Sequence, residues 1–225
     1  MNNLHTRAWV ALLLLFLAMA ALLFIPPWTL DYWQAWMFLA VYFAASAAIT
    51  LYLMKKDPQL LARRTSGGPA AEKLPAQRII MSLTSLGFIG LLVIPALDRR
   101  FGWSHMPPWV ALAGDVLVGL GFLGVFFVFR ENSFTSATIE LAPDQKVIST
   151  GPYALVRHPM YAAALVMLLG IPIALGSMWG VLVIVAIMPA LIWRLLDEEK
   201  FLAKNLPGYR EYQTRVRYRL IPRVW

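Results

Sequence analysis

Two short polar blocks in the C-terminal half carry residue types able to do chemistry. The first is GPYALVRHPMY, residues 151–161. Gly151-Pro152 breaks the chain, and Arg157-His158-Pro159 stands directly before an apolar run. Pro159 suits the first turn of a helix, where a missing N–H costs little. A helix starting there leaves His158 and the unpaired first-turn amides directed at one place, and such amides favour a carboxylate or other anion. Arg157 taken alone reads as an interfacial flank, whereas His158 reads equally well as flank or as ligand group. The second block is RLLDEEKFL, residues 194–202. Arg194 and Glu198 are four apart and share a helix face, with Glu199 turned about 100° away. Acids are unfavourable at a helix C-terminus, so this helix is expected to continue past Glu199. If the apolar segments between the blocks form a hairpin, His158, Tyr161, Arg194, Glu198 and Glu199 emerge side by side at one membrane face. That set describes a pocket for a zwitterionic, hydroxyl-rich ligand at a lipid boundary.

The elements that must position these groups are membrane spans. Of 225 residues, 60% are hydrophobic and 14% charged, against about 25% charged in average soluble domains. The apolar residues gather at 8–25, 33–54, 79–97, 109–129, 160–175 and 178–196, and about 20 such residues cross a bilayer. The fold class expected is an all-α integral membrane protein of about six transmembrane helices with a C-terminal helical hairpin. Gly176 and Ser177 form its turn, and Pro172 and Pro189 are expected to kink its legs. Ala18-Met19-Ala20 resembles a signal-peptide cleavage site, but the apolar run continues to Ile25 and is read as a retained span. Without Cys, disulfides and thiolate sites are excluded.

With the N-terminus placed in the cytoplasm, all of the 20 Lys and Arg except Arg99 and Arg100 fall in cytoplasmic segments. Both termini are therefore expected inside. The net charge of +8 is thereby topological; it points to no nucleic acid and leaves attraction to anionic lipid headgroups. Trp9, Trp28, Trp33, Trp103, Trp109 and Trp179 fall near span ends, as interfacial anchors do. The chain divides into four spans over 1–130, with a basic loop at 55–78, and a core over 131–225 holding a linker, the hairpin 160–196 and a basic tail. In the loop, Arg63-Arg64 reads as plain basic character and Ser-Gly-Gly-Pro at 66–69 as a turn. Asp115 is expected at the outer interface, while Gly114, Gly119, Gly121 and Gly124 are expected to admit close helix packing. The tail series Tyr209, Tyr212, Arg215, Arg217 and Arg219 reads first as interfacial anchoring and second as a lid.

GPYALVRHPMY, RLLDEEKFL and PGYREYQTRVRYRLIP (207–222) occur in that order, and together they resemble the isoprenylcysteine carboxyl methyltransferase family. The related phospholipid N-methyltransferases share the C-terminal pattern, and the likeness covers about 130–222. The resemblance implies S-adenosyl-L-methionine bound at the cytoplasmic face. It implies a cofactor site lined by His158, Pro159 and Tyr161 together with Glu198 and Glu199, with Gly151, Pro152 and Tyr153 giving turn contacts. Arg194 falls at the position that orients the acceptor's reacting group. Two departures stand out: Ala163 where many members have Gly, and Leu206-Pro207-Gly208 where Phe-Gly is usual. The acceptor implied is lipophilic and enters from the bilayer, most simply a prenylcysteine-type carboxylate, which needs no general base and which an arginine can hold bidentately. An amine acceptor must instead be neutral. N- or S-methylation of a phospholipid or other small molecule is an alternative. So is a nicotinamide-dependent reductase, since sterol-reductase-like proteins carry a related RHP-Tyr block with Asn where this chain has Met160. No metal and no obligate protein partner are expected; His5, His105 and His158 are too scattered to share an ion.

Overall fold

The computed structural model describes residues 2–65, 67–72, 74–142 and 144–225. Ser66, where the turn at 66–69 was placed to begin, and Lys73 of the basic loop lie outside the described residues. Among the described residues, eight α-helices follow in order: α1 (Asn2–Phe24), α2 (Trp33–Lys56), α3 (Pro58–Arg64), α4 (Pro75–Phe101), α5 (Pro108–Glu131), α6 (Pro159–Ala174), α7 (Trp179–Asn205) and α8 (Tyr209–Arg215). Five of them are long and apolar enough to cross a membrane, and α6 is a shorter apolar helix. The protein is an all-α, multi-pass membrane protein.

Local sequence sets the helix starts. Proline occupies the first turn of α3, α4, α5 and α6, where its fixed φ favours the helix and no hydrogen bond is lost. Asp57 caps α3 by accepting from the Leu60 amide at 2.9 Å. That short helix lies across the bundle end and buries Leu60 and Leu61 against Leu53, Met54 and Phe129. At the opposite end Arg99 and Arg100 donate to the carbonyls of Asp31 and Pro26. Also near that end, buried Asp98 accepts from the hydroxyls of Ser104 and Ser177.

Gly176 makes the α6–α7 turn with φ +74°, yet each leg of the hairpin packs mainly on another helix, α6 along α5 and α7 along α4. Missing side chains explain the first pairing. A Cβ on Gly114 would stand 2.1 Å from the Ala174 nitrogen, and one on Gly121 would stand 2.5 Å from the Met167 Cβ. The α5 backbone therefore approaches α6 as only a stripe of small residues permits. Gly119, read from the sequence as part of that stripe, faces open space. Asp115, expected at the outer interface, is 6% exposed and is one of the buried residues of α5. The alternating stretch 137–141 forms no strand.

Gly121→Val should lower the thermal midpoint of the detergent-solubilised protein, with overpacking costing about 1–3 kcal/mol. Gly119→Val, with nothing within 4 Å of its added Cβ, should leave the midpoint unchanged. Equal midpoints for the two variants would refute this account of the α5–α6 contact.

Candidate functional site

The GPY turn is a short 3-10 segment over Gly151–Ala154. Gly151 has φ +55°, and a Cβ there would come within 2.9 Å of the Glu131 carboxylate. Glu131 in turn accepts the hydroxyl of Thr150. The turn points Tyr153 inward, where its oxygen accepts from Asn132 Nδ2 at 2.9 Å. Burial pushes that phenol up to about 12, so it stays a neutral hydroxyl. His158 is the N-cap residue of α6 and Pro159 its first residue, and the His158 side chain makes no capping bond.

These groups surround a cavity of about 370 Å³ at the end of the bundle that carries α3, the linker and the tail. Tyr153, His158, Pro159, Tyr161, Arg194 and Glu198 all line it. Gly151 and Pro152 do not; they shape the turn that delivers Tyr153. The Tyr161 hydroxyl donates to Glu198 Oε2 at 2.5 Å, and the His158 ring stands edge-on to Tyr161 with centroids 5.7 Å apart. The guanidinium of Arg194 is fixed from both halves of the chain. Its Nη2 lies 2.8 Å from Glu72 Oε1 and donates to the Ala137 carbonyl, while its Nη1 donates to Gln77 Oε1 at 2.9 Å. Gln77 is itself aligned by donating to Asp197 Oδ2 at 3.1 Å.

Glu199, expected beside Glu198 on the cofactor side, does not line the cavity. The one-residue step carries it about 100° around α7, into a buried ion cluster behind the wall. Its Oε1 takes Arg157 Nε at 2.6 Å and its Oε2 takes Arg219 Nε at 2.8 Å. Arg157 also donates to the carbonyls of Val216 and Arg217. The backbone amides of Arg157 and His158 donate to Tyr218 and Arg219. The tail is thus laid as a strap along the start of α6. Arg157, read from the sequence as a flank, is 8% exposed and belongs to this clamp. Tyr209 and Tyr212 are buried and line the cavity, with Tyr212 donating to the Tyr153 carbonyl at 2.7 Å. These two tyrosines thus take the place a lid would, while Arg215 and Arg217 of the same series are exposed.

Two buried polar atoms on cavity-lining residues have no hydrogen-bond partner, His158 Nε2 and the Tyr209 hydroxyl. The nearest carboxylate oxygen to the first is Glu199 Oε1 at 3.7 Å, too far for a hydrogen bond. Burial, reinforced by Glu199 and Glu198, drives the Tyr209 phenol well above its usual range. A neutral donor and an imidazole nitrogen are therefore held ready for a ligand. Ala163, one of the departures, faces α5, where a Cβ on Gly124 would meet it at 2.8 Å, and it does not line the cavity.

The linker, the RHPxY block and Glu198 thus build one cavity, and the same stretch of chain matches a known family profile. Residues 109–207 match the model of the phospholipid methyltransferase family. The family segment runs from the start of α5 to the end of α7, and so supplies Tyr153, His158, Tyr161, Arg194 and Glu198. Arg64, Glu72 and Gln77 lie before it, and Tyr209, Tyr212 and Arg219 after it. The chain is also similar to the cobalt-zinc-cadmium resistance protein CzcN of Cupriavidus metallidurans, 32% identical over 122 residues that cover 51% of this chain and 53% of that protein. It is 28% identical over 133 residues to the nickel-cobalt-cadmium resistance protein NccN of Alcaligenes xylosoxydans xylosoxydans, covering 56% and 58%. The chain spans about half the length of the curated relatives it matches.

The residues that sequence reasoning missed are the partners of those it found. Glu72 is one of two acids in a basic loop, and Arg157 and Arg219 lie inside blocks read for other roles. Two adjacent acids on one helix cannot face the same way, and that was the available signal that one of them needed its own cations.

Removing one partner of a buried ion pair leaves the other charge uncompensated, at a cost of about 3–5 kcal/mol. Glu199→Ala should therefore release the strap, and trypsin should cut at Arg215, Arg217 and Arg219 far faster than in the wild type. An unchanged digestion pattern would show that the tail is held by something else.

Proposed function

We propose that the protein is an integral membrane S-adenosylmethionine-dependent methyltransferase acting on a lipophilic acceptor, and that the cavity end of the bundle faces the cytoplasm. The observation that carries this reading is the unpartnered pair, His158 Nε2 and Tyr209 OH, on a cavity built mostly by the family segment. A volume of about 370 Å³ lies within the usual range for small-molecule sites, about 300–1,000 Å³. The donor set also suits a zwitterionic nucleoside: phenols at Tyr153 and Tyr209, an imidazole at His158, and a carboxylate at Glu198 for ribose hydroxyls or a nearby cation. Bound S-adenosylmethionine supplies a methyl group already activated on a sulfonium. The protein's share is to align the acceptor and keep water out. Tyr161 holds Glu198 in place by its hydrogen bond. Arg194, immobilised by Glu72 and Gln77, orients the acceptor, and a carboxylate acceptor is the one its guanidinium serves best, since no proton need be removed. O-methylation of a prenylcysteine-type carboxylate is accordingly the preferred reaction.

The acceptor's tail has a route. A narrow apolar crevice of about 30 Å³ lies between α6 and α7, lined by Leu165, Leu168, Met188 and Leu195. Tyr161, Ala164 and Leu191 line both the crevice and the cavity. A lipid chain lying there would reach the reacting groups sideways from the bilayer. The names of the two relatives concern metal resistance; for this chain the proposal stays with methyl transfer, the chemistry of the matched family.

Calorimetric titration of the solubilised protein with S-adenosylhomocysteine should show saturable binding, and NADPH should show none. His158→Ala and Glu198→Ala should each weaken S-adenosylhomocysteine by about tenfold or more, the scale of a lost charge-assisted hydrogen bond. Retained affinity in both variants would sink the site, and binding of NADPH alone would favour a reductase. Arg194→Gln should keep S-adenosylhomocysteine affinity while abolishing methyl transfer to S-farnesyl-N-acetylcysteine; loss of both would make Arg194 a cofactor ligand or a structural post.

A further inference from the structure

The guanidinium groups around the cavity are not all paired with a carboxylate, and the exposed Glu140 and Lys146 also line it. Arg157 and Arg219 share Glu199, Arg194 is paired with Glu72, and Glu198 is held by the neutral Tyr161. One more guanidinium lines the cavity, that of Arg64 at the end of α3. Arg64 reaches in from a helix that precedes the family segment by more than forty residues of chain. Its hydrogen bond and its ring contact are both to uncharged groups: Nη1 donates to the Ser136 carbonyl at 2.9 Å, and the guanidinium lies over the Phe129 ring at 5.3 Å. Among the described residues it forms no ion pair with a carboxylate. Burial lowers its pKa and the charge of Arg194 lowers it further, opposed by Tyr161 and Glu198. An arginine nonetheless keeps its proton in a protein. This half-buried cation has no carboxylate within ion-pair distance among the described residues, and it lines an open volume.

We infer that Arg64 binds a ligand carboxylate in this cavity, as a second guanidinium beside Arg194 and from outside the family segment. This rests on the methyltransferase reading above. The carboxylate has two possible sources, the amino-acid end of the cofactor or the acid group of the acceptor. In either case Glu198 and Tyr161 serve the cationic and hydroxyl parts of the ligands, and Arg64 serves the anionic part. Arg194 shares its charge with Glu72, so a second guanidinium adds to its hold on an anionic group. Arg63, next in the chain, is the natural control: it also pins the linker, donating to the Ser133 carbonyl at 2.6 Å, but it does not line the cavity.

The test compares each acid with a counterpart lacking the carboxylate, in wild type, Arg64→Gln and Arg63→Gln. The cofactor arm uses S-adenosylhomocysteine against 5′-methylthioadenosine. The acceptor arm uses S-farnesyl-N-acetylcysteine against its methyl ester. Arg64→Gln should weaken one acid by about tenfold or more while its uncharged counterpart and both ligands of the other arm hold. Which arm responds identifies the source. Arg63→Gln should leave every ratio as in wild type. Should Arg64→Gln fail to fold, Arg64→Met keeps the apolar stem over Phe129 without the charge and is read in the same way. Unchanged acid-to-counterpart ratios in a folded Arg64 variant would overturn the inference and leave Arg64 a linker pin. Wild-type protein binding neither nucleoside would instead overturn the methyltransferase reading, and the inference with it.

Discussion

The carboxylate of Glu199 is the point on which the cavity end of the molecule depends. Its two oxygens are divided between Arg157 on the approach to α6 and Arg219 in the tail, so one side chain on α7 joins three stretches of chain. Ionic groups this deeply buried contribute little net stability when complete, because desolvation offsets most of their attraction. What they contribute is geometry. With Arg157 anchored, its remaining donors and the amides of Arg157 and His158 line up against tail carbonyls, and His158 can take only one position at the start of α6. The same strap brings Tyr212 onto the Tyr153 carbonyl and Tyr209 to the cavity wall.

A second anchor works across the cavity. Arg194 belongs to the family segment, but Glu72 and Gln77, which hold it, come from the stretch leading into α4. Arg63 and Arg64 of α3 bond to linker carbonyls. The first half of the chain is therefore more than a membrane anchor for the second, since it closes two sides of the site. A family likeness confined to 109–207 is compatible with this. The groups that define the shared pattern lie in the matched segment, and the groups that hold them in register lie outside it.

Much of this was legible in the sequence. The spans were, because bilayer thickness fixes a length of apolar chain, and their ends agree with α1, α2, α4, α5, α6 and α7 to within a few residues on most sides. His158, Tyr161, Arg194 and Glu198 were legible because prolines and helical spacing place them on one end of the α6–α7 unit, whereas Tyr153 came only with the family resemblance. The divergence of Glu198 from Glu199 followed from the helix angle, yet its consequence did not, because the cations that claim Glu199 are 42 and 20 residues away. Glu72 and Gln77 were illegible for the same reason: no local pattern ties residues 117 positions apart. The glycine stripe on α5 announced a close neighbour but not which one, and connectivity suggested α7 for α6 where the small residues select α5.

Side-chain direction explains why an acid and a phenol so unequal in depth can meet. Measured from the α6–α7 turn at about 1.5 Å per residue, the Tyr161 Cα lies about 20 Å along α6 and the Glu198 Cα about 29 Å along α7. Side chains tilt toward the N-terminus of their own helix. The two helices run in opposite directions, so Tyr161 leans toward the cavity mouth and Glu198 leans back toward the membrane. The tilt closes most of the offset, and the hydroxyl and carboxylate come to 2.5 Å. The shortness of α6 is part of the same arrangement. Its 16 residues rise about 24 Å, against about 40 Å for the 27 of α7, so α7 continues past His158 and Tyr161. The linker and the strapped tail wall the polar site on the sides that α6 and α7 leave open.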